Sequence, residues 1–154
     1  MKKQFGILYC LVYKVIKMST VLFITTNKPI TENYLKLRKD FQLWGVRHAL
    51  QLSKYDYLGY LDGNNYYFDC MFTLFSDSLE KFQDNKKTYL TLQRCYKWFN
   101  ELVGSLLKDG YEITLCVYSF AESKAKLKEK SKICLKLLDG NIALNYATPY
   151  LITE

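Results

Sequence analysis

Nucleophilic catalysis needs a thiol or hydroxyl held beside a base, and this chain supplies its imidazole once, at His48. The thiols are Cys10, Cys70, Cys95, Cys116 and Cys134. A Cys–His pair of His48 with Cys70 or Cys116 is the nucleophilic arrangement that the residue types admit. Against it, His48 sits on the apolar side of an alternating stretch, where a histidine ordinarily serves as a hydrogen-bonded structural residue. There is no GxSxG elbow and no HExxH. Acid–base work would need paired carboxylates, and Asp56, Asp62 and Asp69 gather in one region. Asp62 already has a turn to make, and Asp69 alternates with Phe68 and Cys70 toward solvent. Asp62–Asn65 looks superficially like a calcium loop but lacks the central glycine and the distal glutamate. No GxGxxG or GxxxxGK[ST] offers a phosphate cradle, and no two cysteines stand at zinc-ligand spacing. No cofactor or metal is therefore expected, and an enzyme is disfavoured.

Two surface features remain. The first is an aromatic band of Tyr55, Tyr57, Tyr60, Tyr66, Tyr67 and Phe68. Outward-facing tyrosines suit protein interfaces and also base stacking. Cross-strand aromatic pairing is the structural account of the same residues. The second is a lysine run of Lys124, Lys126, Lys128, Lys130, Lys132 and Lys136, tempered by Glu122 and Glu129. Its even spacing puts the lysines on one side when the segment is extended and scatters them when it is helical. Lysine without arginine fits an acidic protein better than base reading, which favours the guanidinium fork; the arginines are Arg38, Arg47 and Arg94.

Those residues must be positioned by a framework of modest size. A chain of 154 residues is the length of one domain and buries enough surface to need no disulfide staples. The odd cysteine count, with each thiol in an apolar run, points to reduced thiols in the cytoplasm. Residues 1–17 carry Lys2, Lys3, Lys14 and Lys17 and no acid, so removing that +4 from the chain's +7 leaves +3 for 18–154. The segment imitates a secretory signal but has tyrosines in its apolar stretch, lysines behind it and no small-x-small site. It reads as an extension ahead of a start at Met18, as a terminal helix or strand, or as a targeting or membrane-surface segment. Residues 18–154 read as a single α+β domain, and no segment is apolar for long enough to span a bilayer.

Residues 20–26 are β-branched and apolar, a strand buried on both faces. Tyr34, Leu37, Phe41 and Trp44 share a helical face, closed by Gly45. Val46, His48, Leu50 and Leu52 then alternate as a strand. Tyr57–Leu61 and Tyr66–Phe75 predict a hairpin around Asp62-Gly63-Asn64-Asn65. Asp77 and Glu80 have capping-box spacing. A helix begins there, breaks near Asp84-Asn85 and resumes with one apolar face from Leu92 through Cys95, Tyr96, Phe99, Leu102, Val103 and Leu106 to Leu107. Gly110 closes it. Tyr111–Phe120 reads as a strand. Ile133–Leu138 and Ile142–Tyr146 predict a second hairpin around Asp139-Gly140-Asn141. The order is β-α-β-β-β-α-β-β-β: an α+β fold with a largely antiparallel sheet and two helices on one face. The repeated Asp-Gly-Asn admits an internal duplication as well as two ordinary turns.

The function expected from these residues is a small intracellular protein-interaction domain. An inhibitor or toxin-neutralising immunity protein, working by surface binding without catalysis, is the concrete form. Its partner would present an acidic surface to Tyr55, Tyr57, Tyr60, Tyr66, Tyr67, Lys124, Lys126, Lys128 and Lys130. The alternative is a nucleic-acid-binding module using the tyrosine-rich hairpin and the lysine segment. An open sheet edge also admits a homodimer.

Overall fold

A computed structural model describes residues 20–35, 41–45, 63–70, 73–119 and 127–154. They form strand β1 (Thr20–Thr26), helix α1 (Glu32–Leu35), β2 (Phe41–Gly45), β3 (Asn64–Cys70), helix α2 (Lys86–Lys108), β4 (Ile113–Ser119), β5 (Ser131–Cys134) and β6 (Tyr150–Thr153). Short 3₁₀ turns lie at Leu79–Phe82 and Leu135–Leu137. The six strands make one sheet in the order β2-β3-β1-β4-β6-β5. Every neighbouring pair is antiparallel except β5–β6. The expected α+β class and largely antiparallel sheet are what the structure has.

The apolar run of β1 places it between β3 and β4, where both of its faces are covered. Leu22 and Ile24 join the core under the helices, and Phe23 and Thr25 are buried on the reverse face. Across the sheet, Tyr66, Phe68, Ile113, Leu115, Val117, Tyr150 and Ile152 extend the helix-side core. Against it α2 packs Leu92, Cys95, Tyr96, Phe99, Leu102, Val103 and Leu106, the face predicted from their spacing. Each such Leu or Phe contributes about 1.5–3 kcal/mol through burial. Phe99 meets Phe68 and Phe75 edge-on at 5.3 and 5.2 Å. Tyr34 and Leu35 of α1 pack on the same core, so both helices lie on one face.

The ends of α2 are set by local chemistry. The Asn85 side chain accepts the Thr88 N–H at 3.2 Å, an N-cap at the predicted break. At the other end Tyr111 N–H donates to Leu106 O and Gly110 N–H to Leu107 O, with Gly110 at φ +85°. That is a Schellman closure, and the left-handed residue it needs is the predicted glycine. Asp77 does not cap the preceding turn. It pairs with Lys81 at 3.1 Å, and Ser78 takes the cap position without a side-chain bond.

Three expectations are corrected. The face Tyr34–Leu37–Phe41–Trp44 does not run on one helix, because Phe41–Gly45 is a strand paired with Cys70–Tyr66. The open edge of β3 outweighs the local helical spacing, as tertiary pairing commonly does. Tyr66–Cys70 is not one arm of a hairpin with 57–61, since β1 and β2 occupy its two sides. Residues 46–52 and 57–61 themselves lie outside the described residues. Third, Ile133–Leu138 and 142–146 do not pair. β5 runs parallel to β6, reached by the long crossover 135–149 that a parallel pair requires. No repeated α-β-β-β half is present among the described residues, and Asp62 of the first Asp-Gly-Asn lies outside them.

Candidate functional site

The tyrosine band divides. Tyr66 and Tyr67 are each 7% exposed, one on either face of β3. Tyr66 Oη accepts the buried Ile30 N–H at 2.8 Å, which fixes the link after β1. The outward-facing role expected of these two rings therefore does not hold; they build the interior. Tyr55, Tyr57 and Tyr60 lie outside the described residues, as do Lys124, Lys126 and His48.

The lysine segment is well placed. Lys128, Lys130, Lys132 and Lys136 are all exposed. They follow one ordered stretch that runs along the chain's last residues. Lys128 N–H donates to Ala147 O at 2.8 Å and Ser131 N–H to Pro149 O at 2.9 Å. Strand β5 follows, with Ile133 buried in the core and Thr153 Oγ1 donating to Ile133 O at 3.3 Å. Ala147 holds the support from the other side: its N–H reaches Val117 O at 2.8 Å, and it adopts a left-handed φ of +57°. Tyr146 beside it stacks on Tyr118 at 5.7 Å. A left-handed alanine costs energy and persists where neighbours over-determine it. Among the described residues the ion pair is Lys81–Asp77, and none of these lysines pairs with a described carboxylate. Glu129 is the acid in their midst.

A second feature was not apparent from the sequence. A depression of about 440 Å³ lies between α2 and the Asp139–Asn141 turn. Tyr89, Gln93, Lys97 and Asn100 line its helix side. Their positions, at i, i+4, i+8 and i+11, form the polar border of the apolar face, which is the signal that could have revealed them. The polar groups at its turn end are committed to one another. The Asn100 side-chain amide donates to Leu138 O, and Asp139 accepts both the N–H and the side-chain amide of Asn141. The turn is seated by Leu79 N–H donating to Gly140 O at 2.8 Å.

Thiol chemistry is disfavoured at Cys116. Cys95, Cys116 and Cys134 are free, and burial pushes the Cys116 thiol up to about 12. Its Sγ lies 4.0 Å from Val117 O in the middle of the sheet. A thiol kept protonated is a poor nucleophile, which argues against Cys116 as the partner of His48. Among the described residues no group of His, Cys, Asp and Glu could hold a metal ion. Nor is any helix among them long and apolar enough to cross a membrane. Comparison of the chain with protein-family models, curated proteins and solved structures gives no match.

Proposed function

We propose that the chain is a small cytoplasmic protein-interaction domain that grips an acidic partner surface through the lysines of residues 128–136. It acts by occupying that surface, in the manner of an inhibitor or a toxin-neutralising immunity protein. The observation that carries the reading is four exposed lysines, unpaired with any described carboxylate, on a backbone held by the sheet. Charges fixed on a rigid support steer association and set register, where the same charges on a loose tail would be screened. The free thiols Cys95, Cys116 and Cys134 support a reducing compartment. The burial of Tyr66 and Tyr67 removes two of the rings that nucleic-acid stacking would use.

The test is native mass spectrometry of the tagged chain, purified gently at low salt from its own host, beside the K128E/K130E/K132E variant. A protein partner in fixed stoichiometry, lost from the variant and released by salt, is the expected result. With that partner in hand, charge reversal should slow association by about tenfold or more at low salt, with a smaller effect at high salt. Co-purifying nucleic acid, or a partner that binds wild type and variant alike, would overturn the proposal.

A further inference from the structure

Strand β5 stands at the end of the sheet order, so among the described residues one of its sides is a sheet edge. The direction of its backbone groups follows from two bonds. Ser131 N–H donates to Pro149 O, and Ile133 O accepts from Thr153 Oγ1; both are on the β6 side. In a parallel pair the N–H and C=O of a residue point the same way, and successive residues alternate. Lys132 therefore presents its N–H and C=O outward and Cys134 its N–H, while the Cys134 C=O serves as the N-cap carbonyl of the following 3₁₀ turn. The buried Ile133 side chain marks the helix face of β5, which places Lys132 on the reverse face.

We infer that this edge is completed by an extended acidic segment of the partner, which adds as a further strand beside β5. The inference rests on the reading above that these lysines meet an acidic partner, and it specifies how. Main-chain bonds to Lys132 and Cys134 supply affinity, and acidic side chains at alternate positions meet Lys130 and Lys132 and supply selectivity. Charge complementarity selects this occupant over a second copy of the chain. Antiparallel pairing of two β5 edges would bring Lys130 and Lys132 against the same lysines of the other copy, and like charges across a strand pair are destabilising. Edge lysines that block self-pairing leave the edge usable by a segment of opposite charge.

The experiment is an amide NMR titration of the full chain at low salt. The probe is a capped peptide of alternating Glu and Thr, and the control is that peptide N-methylated at every second residue on the pairing side. The parent peptide should slow hydrogen exchange at the Lys132 and Cys134 amides. The N-methylated control keeps its charge and should bind about tenfold more weakly, as expected for loss of more than one backbone hydrogen bond. The K132P variant removes one outward N–H at a position where an edge strand tolerates proline, together with the lysine charge; it should bind about fivefold more weakly than K132A, which removes the charge alone. Should the proline variant fail to fold, the N-methylated peptide interrogates the same bonds from the other side. Equal binding of parent and control, or binding without protection of those two amides, would overturn strand addition and leave the charge reading standing. No binding of either peptide at low salt would overturn both.

Discussion

Gly140→Ala is the sharpest test of how the crossover between β5 and β6 is held. Gly140 is buried at φ +96°, a conformation that L side chains rarely adopt. A Cβ added there would stand 2.7 Å from Leu79 Cδ1 and 2.7 and 2.8 Å from Tyr96 Cδ2 and Cε2. Leu79 can rotate its methyl away. Tyr96 cannot yield as easily, because its hydroxyl accepts the Phe75 N–H at 2.8 Å and its ring lies edge-on to Phe75 at 4.9 Å. The backbone term is about 1–2 kcal/mol. Overpacking adds about 1–3 kcal/mol. The sum, roughly 2–5 kcal/mol, is a large part of the roughly 5–15 kcal/mol that holds a domain folded. Gly110→Ala is the control: φ is +85°, and the nearest atom to an added Cβ is Lys28 Nζ at 3.9 Å. It carries the backbone term alone, about 1–2 kcal/mol. Urea unfolding of both variants, with unchanged m-values, should show Gly140→Ala the more damaging by at least about 1 kcal/mol. Thermal midpoints should separate likewise, at roughly 2–4 °C per kcal/mol for a chain of this size. Equal costs for the two variants would refute the account of Gly140 as a wedge under Tyr96.

Tyr66→Phe leaves the buried Ile30 N–H without its acceptor and should cost about 1–3 kcal/mol in urea unfolding. Asn85→Ala removes the side chain that accepts the Thr88 N–H and should cost about 1 kcal/mol by the same measurement, with Asn85→Ser retaining most of the stability. Cys116 should resist iodoacetamide in the native protein at pH 8 and react once the chain is unfolded, as read by mass mapping of the labelled peptides. Because burial raises its pKa from 9.0 to about 12, the folded state holds its proton where the unfolded state has lost it. Its contribution to stability is thus full below about pH 9 and falls as pH rises toward 12.

What the sequence made legible was what local signals decide. In β1, β-branched and apolar residues in an unbroken run required cover on both sides, and the structure provides it. In α2 the apolar spacing, the asparagine at the break and the glycine past the end all agree, and both ends fall where those residues stand. Pairing partners are non-local and were not legible. Phe41-Gln42-Leu43-Trp44 satisfies helical spacing and strand propensity alike, and the free edge of β3 decides between them. Asp139-Gly140-Asn141 has hairpin-turn chemistry, yet its glycine is needed for passage beneath Tyr96. For the candidate site, the lysine spacing revealed charge but left open whether the segment is extended or helical. It did not reveal that Lys132 lies on a sheet edge, because that depends on β6 inserting between β4 and β5. Tyr66 and Tyr67 misled for a related reason: whether a strand's face is buried depends on what packs over the sheet, which the spacing does not show.

The wedge and the lysine edge are parts of one mechanical chain. Leu138 O accepts the Asn100 amide, Gly140 O accepts Leu79 N–H, and Leu144 N–H donates to Phe75 O. These bonds tie the crossover to α2 and to the segment before it. The crossover then delivers Ala147 to Val117 and Tyr150 to Leu115, and from that position Ala147 receives Lys128 and β6 receives β5. The lysines therefore take their geometry from residues that carry no charge. Loosening the wedge should weaken partner binding without changing the number of charges, whereas reversing a lysine changes the charge and leaves the fold intact. The salt dependence of binding separates the two: its slope follows the charges that make contact. A Gly140 variant should lose affinity at every salt concentration, and a Lys130 variant should lose it chiefly at low salt.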